Sequence, residues 1–422
     1  MFVDRLFLTH YSLDALEAAA NAGIAVFVFL VVPLLTTGIS EVFVGQHYGA
    51  GRHVKIGEPV WQMLWLALLS APLLALAGWL VPPWIFYGTG NEVLETQYFS
   101  TSLYMGFFYC CTPALTGFFV GRGAVKVVTV CTLLANVLNA GLDYVFIFGW
   151  GVIPEMGVLG AALASGLGQA FQTLFFFVLF LRRKMRQTHH THKWQLRPKR
   201  LYQCLQVGMP ASFGHLNELI AHFVFFRLVI MAGGFGMTIV ALTQSLYILV
   251  SFVQEGLSKG ATAVTANLIG AKKTSLIDNT LRSAFMIIIG FVSFVAAVLL
   301  FAPDTIFHHL IAEQDRYLLQ DPVFVHQLTW SFVGMGFFIL CDGIYWCLIG
   351  VLTAAGDTRF IMVVTTLCNW LLYVVPVFIV VHLLGYGVEV AWFVVAISAG
   401  LMSMIYYRRY RSAKWQAMEI MN

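Results

Sequence analysis

Asp143 is an acid inside a strongly apolar run, residues 133–149, LLANVLNAGLDYVFIFG. Asn139 precedes it by four residues and Asn136 by seven. On a helix that spacing puts all three on one stripe. An ionisable group at bilayer depth is costly and turns toward a cavity or a partner. Two chemistries suit the stripe. It can be a polar seam that hydrogen-bonds two helices together. It can instead be a cation site, with Asp143 as the charge and Asn139 as a neutral oxygen ligand one turn away.

Five more acids fall in apolar surroundings: Asp4, Glu41, Glu218, Glu255 and Asp342. Glu218 follows Pro210 in GMPASFGHLNEL, with His215 and Asn217 nearby, and Asp342 lies in FFILCDGIYW. Neither has a basic neighbour in sequence. They are expected to approach each other within the second half of the chain. Two carboxylates that meet cannot both stay charged without a cation or a shared proton, which is what a proton-carrying site needs. Separate structural hydrogen bonds are the alternative. Glu255 and Lys259 stand at i, i+4 with Glu first, the favourable order for an intrahelical pair, and read as mutually neutralising. His189, His190 and His192 sit in a basic stretch and read as a solvated loop. The seven cysteines show no metal-ligand spacing and read as small buried hydrophobes. No nucleotide loop, catalytic triad or metal-ligand cluster is visible, so an enzyme is not the reading.

The elements that must position these groups are membrane helices. Of 422 residues, 59% are hydrophobic and 10% charged, and the mean hydropathy is +0.82; soluble domains carry about 25% charged residues. The apolar runs are continuous rather than alternating, which selects helices over a barrel. Runs long enough to span fall near 15–44, 59–83, 97–120, 126–149, 157–181, 203–231, 236–269, 280–302, 324–351, 360–383 and 387–406. Residues 1–9 read as the tail of a twelfth. The long first run is expected to bend at Pro33 or at its glycines. Trp79, Trp84, Tyr87, Tyr406 and Tyr407 lie near span ends and read as interfacial anchors.

Alternate loops gather 20 of the 24 basic residues on one side, including the stretch 182–200, RRKMRQTHHTHKWQLRPKR, and the tail from Arg408. The other side holds Asp14, Glu92, Glu95, Glu155, Asp304, Glu313, Asp315 and Asp321. The basic side is therefore expected to be cytoplasmic. The net charge of +4 is this asymmetry and not a nucleic-acid surface.

The basic stretch divides two similar halves. GQHYGA at 45–50 matches ANLIGA at 266–271, an offset of 221. GRGAVKVVTVCTLLAN at 121–136 matches AAGDTRFIMVVTTLCN at 354–369, ending on Asn136 and Asn369, an offset of 233. An insertion of 12 residues is expected around 303–321. Repeats of this kind in transporters bind substrate near the midplane. The organisation expected is an N-terminal lobe 1–183, a basic linker 184–200, a C-terminal lobe 201–407 and a tail 408–422. By the repeat offset the first helix of the first lobe is incomplete, so either the start is placed too late or the copy is truncated.

With these stretches assembled, the chain resembles the multidrug and toxic compound extrusion (MATE) transporters. The resemblance is carried by FVD (2–4), VGQHYGAGR (44–52), NVLNAGLDYVFIFG (136–149), MGVLGAALAS (156–165), VGMP (207–210), the ANLIGA match and AAGDTR (354–359). It implies an all-α membrane fold of twelve helices in two six-helix lobes, eleven of them complete here. It implies an antiporter that exports organic cations and drugs against inward H⁺ or Na⁺. Asp4 is similar to the first-helix aspartate of the N-lobe cation site, and Asn139 and Asp143 to its fifth-helix pair, with Asn136 on the same stripe. Ser165 stands where many members have threonine. Na⁺, if used, would sit at Asp4, Asn139 and Asp143. Glu218 and Asp342 resemble the seventh- and tenth-helix acids of a C-lobe site found in some subfamilies.

Cation-coupled export from the inner membrane is the expectation, by a monomer in the lipid bilayer acting on small organic cations. It needs no cofactor besides the coupling ion and no nucleic acid. A lipid-linked oligosaccharide flippase would line its cavity with Arg or Lys, and only Arg5, Arg227, Lys259 and Arg316 lie outside the cytoplasmic set. A degenerate, non-transporting membrane protein is the other class, supported by the short first helix. The orientation has a direct test. Cysteines introduced at Thr191 and at Ala417 are expected to resist an impermeant maleimide in intact cells, and labelling from outside would reverse the topology.

Overall fold

The structure, a computed structural model, describes residues 2–231, 233–301 and 313–418. Among these the chain is helical, with an isolated bridge between Trp150 and Ile153 as the one strand-like pairing. The first half runs through α1 (Phe2–Tyr11), α2 (Leu13–Gly38), α3 (Ser40–Gly49), α4 (Gly57–Leu80), α5 (Glu92–Tyr104), α6 (Gly106–Gly121), α7 (Val125–Phe148) and α8 (Gly157–Phe180). A short helix, α9 (Arg183–His189), lies in the basic linker, and α10 (Pro198–Met231) follows it. The second half continues with α11 (Gly236–Gly270), α12 (Ile277–Phe301), α13 (Pro322–Ala355), α14 (Thr358–Cys368) and α15 (Val388–Arg411). Among the described residues ten helical segments are long and apolar enough to cross a bilayer, and the pair α5–α6, bent by 44°, makes an eleventh. They match the eleven runs read from the sequence, so the protein is a multi-pass membrane protein. The chain forms two compact units, Met1–Ser212 and Phe213–Ile420.

The local chemistry explains the breaks. Ser12 ends α1 and caps α2, its Oγ accepting from the Ala15 amide at 3.4 Å. Helix α2 runs through Pro33 and stops at Gly38, five residues later than the proline, with Ile39 between α2 and α3. The bend between α5 and α6 lies at Gly106, where a β-carbon would come within 2.7 Å of Leu74 Cδ1. The second half has its own irregularity. Past α14 the span continues through π-helical turns at Asn369–Val374 and Ile379–Leu383, with Pro376 between them. Proline has no N–H, so it frees the carbonyl four residues back, that of Leu372. Ser398 of α15 donates its hydroxyl to that carbonyl as well as to Val394 O.

Small residues let helices touch where lipid offers no hydrophobic drive for association. Gly160, Ala164 and Gly168 are buried along α8. A β-carbon on Gly160 would fall on the Phe146 carbonyl of α7, and one on Gly168 would lie 3.1 Å from Asn139 Cβ. The α7–α8 pair is therefore a backbone-close hairpin.

Three expectations need correction. The linker histidines are not simply a solvated loop. His189 is buried, with Nε2 3.2 Å from Arg122 Nη1 and Nδ1 3.3 Å from the His53 carbonyl. Burial, and then the Arg122 guanidinium, hold its imidazole below the ordinary histidine range. The following residues are strapped to α4, whose Trp61, Gln62 and Trp65 side chains donate to the carbonyls of Thr191, Gln195 and Trp194 at 2.7, 3.0 and 2.8 Å. Thr191 is fully buried, so His192, which is exposed, is the better labelling position. Tyr406 is not an interfacial anchor: it is fully buried, with its hydroxyl 2.7 Å from Thr365 Oγ1. Glu95 is not a loop acid. It is buried on α5 and accepts from Asn21 Nδ2 and Thr89 Oγ1, each at 2.5 Å. Asp304 and the core of the expected insertion lie outside the described residues.

The α7–α8 contact makes a prediction. Gly160→Leu overpacks a backbone contact and should cost on the order of 1–3 kcal/mol, read as a lowered unfolding midpoint in detergent. Gly141→Ala, at a position with open space around it, should leave the midpoint unchanged.

Candidate functional site

In the first unit, α1 presents Asp4, Leu8 and Tyr11 along one face at spacings of four and three. Leu8 is fully buried, and Asp4 is 2% exposed. The ring of Phe7 meets Tyr144 and Phe148 of α7 edge-on at 6.2 and 6.1 Å, and Tyr11 meets Phe148 at 6.2 Å. The Tyr11 hydroxyl also donates to Glu155 Oε1 at 2.7 Å. These contacts clamp α1 to α7 and hold Asp4 beside Asp143.

Asp143 is 0% exposed, and neither of its oxygens receives a hydrogen bond from a described donor. Asp4 is held from the other side by Ser165 of α8, whose hydroxyl donates to Asp4 Oδ2 at 2.5 Å. The sequence-read residues thus gather as expected, but in two layers. Asn136, Asn139 and Ser165 line a cavity of about 280 Å³, while Asp4 and Asp143 stand behind that wall. The Asn139 amide nitrogen is buried without a partner. The rest of the lining includes Phe27, Tyr98, Tyr109, Ser102, Gln169 and Gln172. These were missed because a Tyr or Gln in an apolar run carries no periodic signature of its own. The three polar lining residues from α8, Ser165, Gln169 and Gln172, with the small Gly168 among them, do fall at helical spacing, which was a readable signal.

In the second unit, Glu218 of α10 and Asp342 of α13 are 8% and 4% exposed and line one cavity of about 20 Å³. Tyr247 of α11 donates to Asp342 Oδ2 at 3.4 Å. Contrary to the sequence expectation, Glu218 does have a basic neighbour: His215, three residues before it, lies 3.5 Å from Glu218 Oε2 through Nδ1. His222, one turn after Glu218, also lines the cavity and was missed. Asn369 lines it too, with its amide nitrogen buried and unpartnered. Asn369 opens the first π-helical turn, a geometry that recurs at functional sites. Its sequence match in the first half is Asn136, which lines the larger cavity.

Glu255 and Lys259 pair at 2.8 Å as read, half-exposed and away from both cavities. Among the described residues no three His, Cys, Asp or Glu side chains converge as a metal site. The cysteines are free, and all but Cys341 are buried.

Comparison with known proteins bears on the family and the fold. The sequence model of the MatE family matches residues 1–145 and 210–379. A probable multidrug resistance protein NorM of Thermotoga maritima is 23% identical over 98% of this chain and 88% of its own length. Another, of Synechocystis sp., is 26% identical over 87% of this chain and 80% of its own. Among solved structures, a MATE in the straight conformation superposes with a TM-score of 0.83 at 20% identity, covering 98% of this chain and 92% of that one. A transporter of the MOP superfamily from Pyrococcus furiosus gives 0.81 at 21% identity, covering 98% and 91%. These likenesses establish the fold.

The shared cavity makes a prediction for the two second-unit acids. Glu218→Gln and Asp342→Asn should each lower efflux of ethidium from cells several-fold, within the range of a coupling free energy, while membrane expression stays near parental. Parental efflux in both variants would reduce the acids to structural hydrogen-bonding groups.

Proposed function

The chain belongs to the MatE family and is a secondary transporter, not an enzyme, and we propose that it exports amphipathic organic cations and drugs in exchange for inward H⁺ or Na⁺. The observation that carries this reading is the Asp4–Asp143 pair. Two carboxylates side by side in an apolar interior cannot both stay charged without a cation or a proton. Binding H⁺ or Na⁺ therefore changes the charge of the pair. Ser165 touches Asp4 and also lines the cavity, so that change is felt at the cavity wall.

The cavity suits a small amphipathic molecule. Its volume of about 280 Å³ lies near the lower end of small-molecule sites, which run from about 300 to 1,000 Å³. Phe27, Tyr98 and Tyr109 offer ring faces to a cation, and Asn136, Asn139, Gln169 and Gln172 offer amide hydrogen bonds. Relatives named as multidrug resistance proteins support the substrate class. Coupling follows from competition. Charged acids favour the organic cation; occupied acids disfavour it, and the bias between outward- and inward-open states shifts accordingly. The transporter is placed in the inner membrane with the linker and the C-terminus in the cytoplasm, on the Lys and Arg distribution.

Asp143→Asn removes the charge but keeps the shape and a carbonyl oxygen. In proteoliposomes with an imposed H⁺ or Na⁺ gradient it should abolish gradient-driven export, whereas Ser165→Ala, which removes a neutral contact, should lower it by roughly a factor of ten or less. Parental coupling in Asp143→Asn would remove the first-unit pair as the engine.

A further inference from the structure

His222 lines the second-unit cavity together with Glu218 and Asp342. Its Nδ1 lies 3.0 Å from the carbonyl of Glu218, one turn back on the same helix. A carbonyl oxygen can only accept, so Nδ1 carries the ring hydrogen and Nε2 bears the lone pair. That Nε2 is buried and has no hydrogen-bond partner among the described residues. Leaving a buried acceptor unpaired is costly, about 1–3 kcal/mol. The ring is walled by aromatics. Tyr247 stacks on it at 6.1 Å with an interplanar angle of 11°, Tyr373 meets it at 5.4 Å, and Phe338 at 6.3 Å.

We propose that His222 is the proton-binding base of the second-unit cavity, and that the ion this site takes is H⁺ and not Na⁺. The inference rests on the reading of the chain as a cation-coupled exporter. A proton on Nε2 converts the orphaned acceptor into a donor and the ring into an imidazolium. Aromatic faces and carboxylates favour that cation. A cavity of about 20 Å³ has room for one water, which can deliver the proton. The step is proton transfer alone: an N–H bond forms at Nε2 on loading and breaks on release. Once formed, the imidazolium places a positive charge in the space that Na⁺ would need.

The ionisable groups facing this ring are few. Glu218 and, beyond it, His215 come from α10, Tyr247 from α11, Asp342 and Tyr345 from α13, and Tyr373 from the stretch after α14. Helix α15 supplies Val395, Ser398, Ala399 and Met402, none of them ionisable.

Two measurements decide the matter. The first needs no substrate. In ¹⁵N-histidine spectra of the detergent-solubilised protein, the His222 signals are identified by their loss in His222→Gln. They should pass from the Nδ1–H tautomer to imidazolium as the pH is lowered, and Na⁺ should leave them unchanged. A ring that stays neutral throughout, or that Na⁺ keeps neutral, overturns the proposal whatever the protein transports. The second uses proteoliposomes and ethidium. His222→Gln should express at the parental level and elute as a single peak at the parental position in detergent, which shows that it is folded, and should lose H⁺-driven ethidium export by about tenfold. Parental H⁺-driven export in His222→Gln also overturns it. Absence of ethidium export in the parent, with the spectra as expected, counts against the export reading and not against His222.

Discussion

The structure depends on one electrostatic constraint: carboxylates placed where water cannot solvate them. Asp143 is fully buried, with no described donor to either oxygen. A group of that kind is tolerable only if a proton, a cation or a partner answers its charge. The neighbouring architecture serves that end. The ring contacts of Phe7 and Tyr11 clamp α1 so that Asp4 cannot swing away. The small residues of α8 bring its backbone against α7, so that Ser165 reaches Asp4. The cavity wall is amides and hydroxyls, with the charge one layer behind.

The two halves answer the constraint differently, although the sequence repeats. Asn136 and Asn369 end matched stretches, and each lines a cavity. In the first half the asparagine stands on a regular helix beside about 280 Å³ of space. In the second it starts a π-helical turn beside about 20 Å³. Pro376 accounts for part of the difference, because it removes a helical hydrogen bond that Ser398 replaces from α15. Rings then fill what the first half leaves open. A small cavity ringed by tyrosines and crossed by a histidine suits a proton or a single water. A large one with amide walls suits a molecule.

Much of this was legible in the sequence, for identifiable reasons. Eleven spans were readable because an apolar run of bilayer length has few alternatives. The Asn136, Asn139 and Asp143 stripe was readable because polar groups are rare at that depth and helical spacing is rigid. The docking of the linker was not, because its bonds run from Trp61, Gln62 and Trp65 to backbone carbonyls, and a carbonyl carries no residue signature. Glu95 looked like a loop acid because the rule that sorts charges by side ignores burial. His222 escaped because a single histidine among apolar residues is ordinary until three rings are seen around it. The acids behind the wall could be named but not layered, since depth from a cavity is a property of packing alone.

That layering bears on how tightly an organic cation is held in the proposed exchange. An acid in the wall itself, about 4 Å from a bound cation, would attract it by about 4 kcal/mol at an effective dielectric near 20. At about 8 Å, one layer back, the attraction falls to about 2 kcal/mol. Couplings between ligand sites fall between about 1 and 3 kcal/mol, so the recessed position supplies a usable difference without trapping the cargo. The cation is then retained mainly by ring faces and amides, which do not change on protonation. What changes is the recessed charge, and that term alone is switched when the acids bind their ion. Export needs a cargo that binds in one charge state of the site and leaves in the other, and an acid set one layer behind Ser165 meets that requirement better than one in contact.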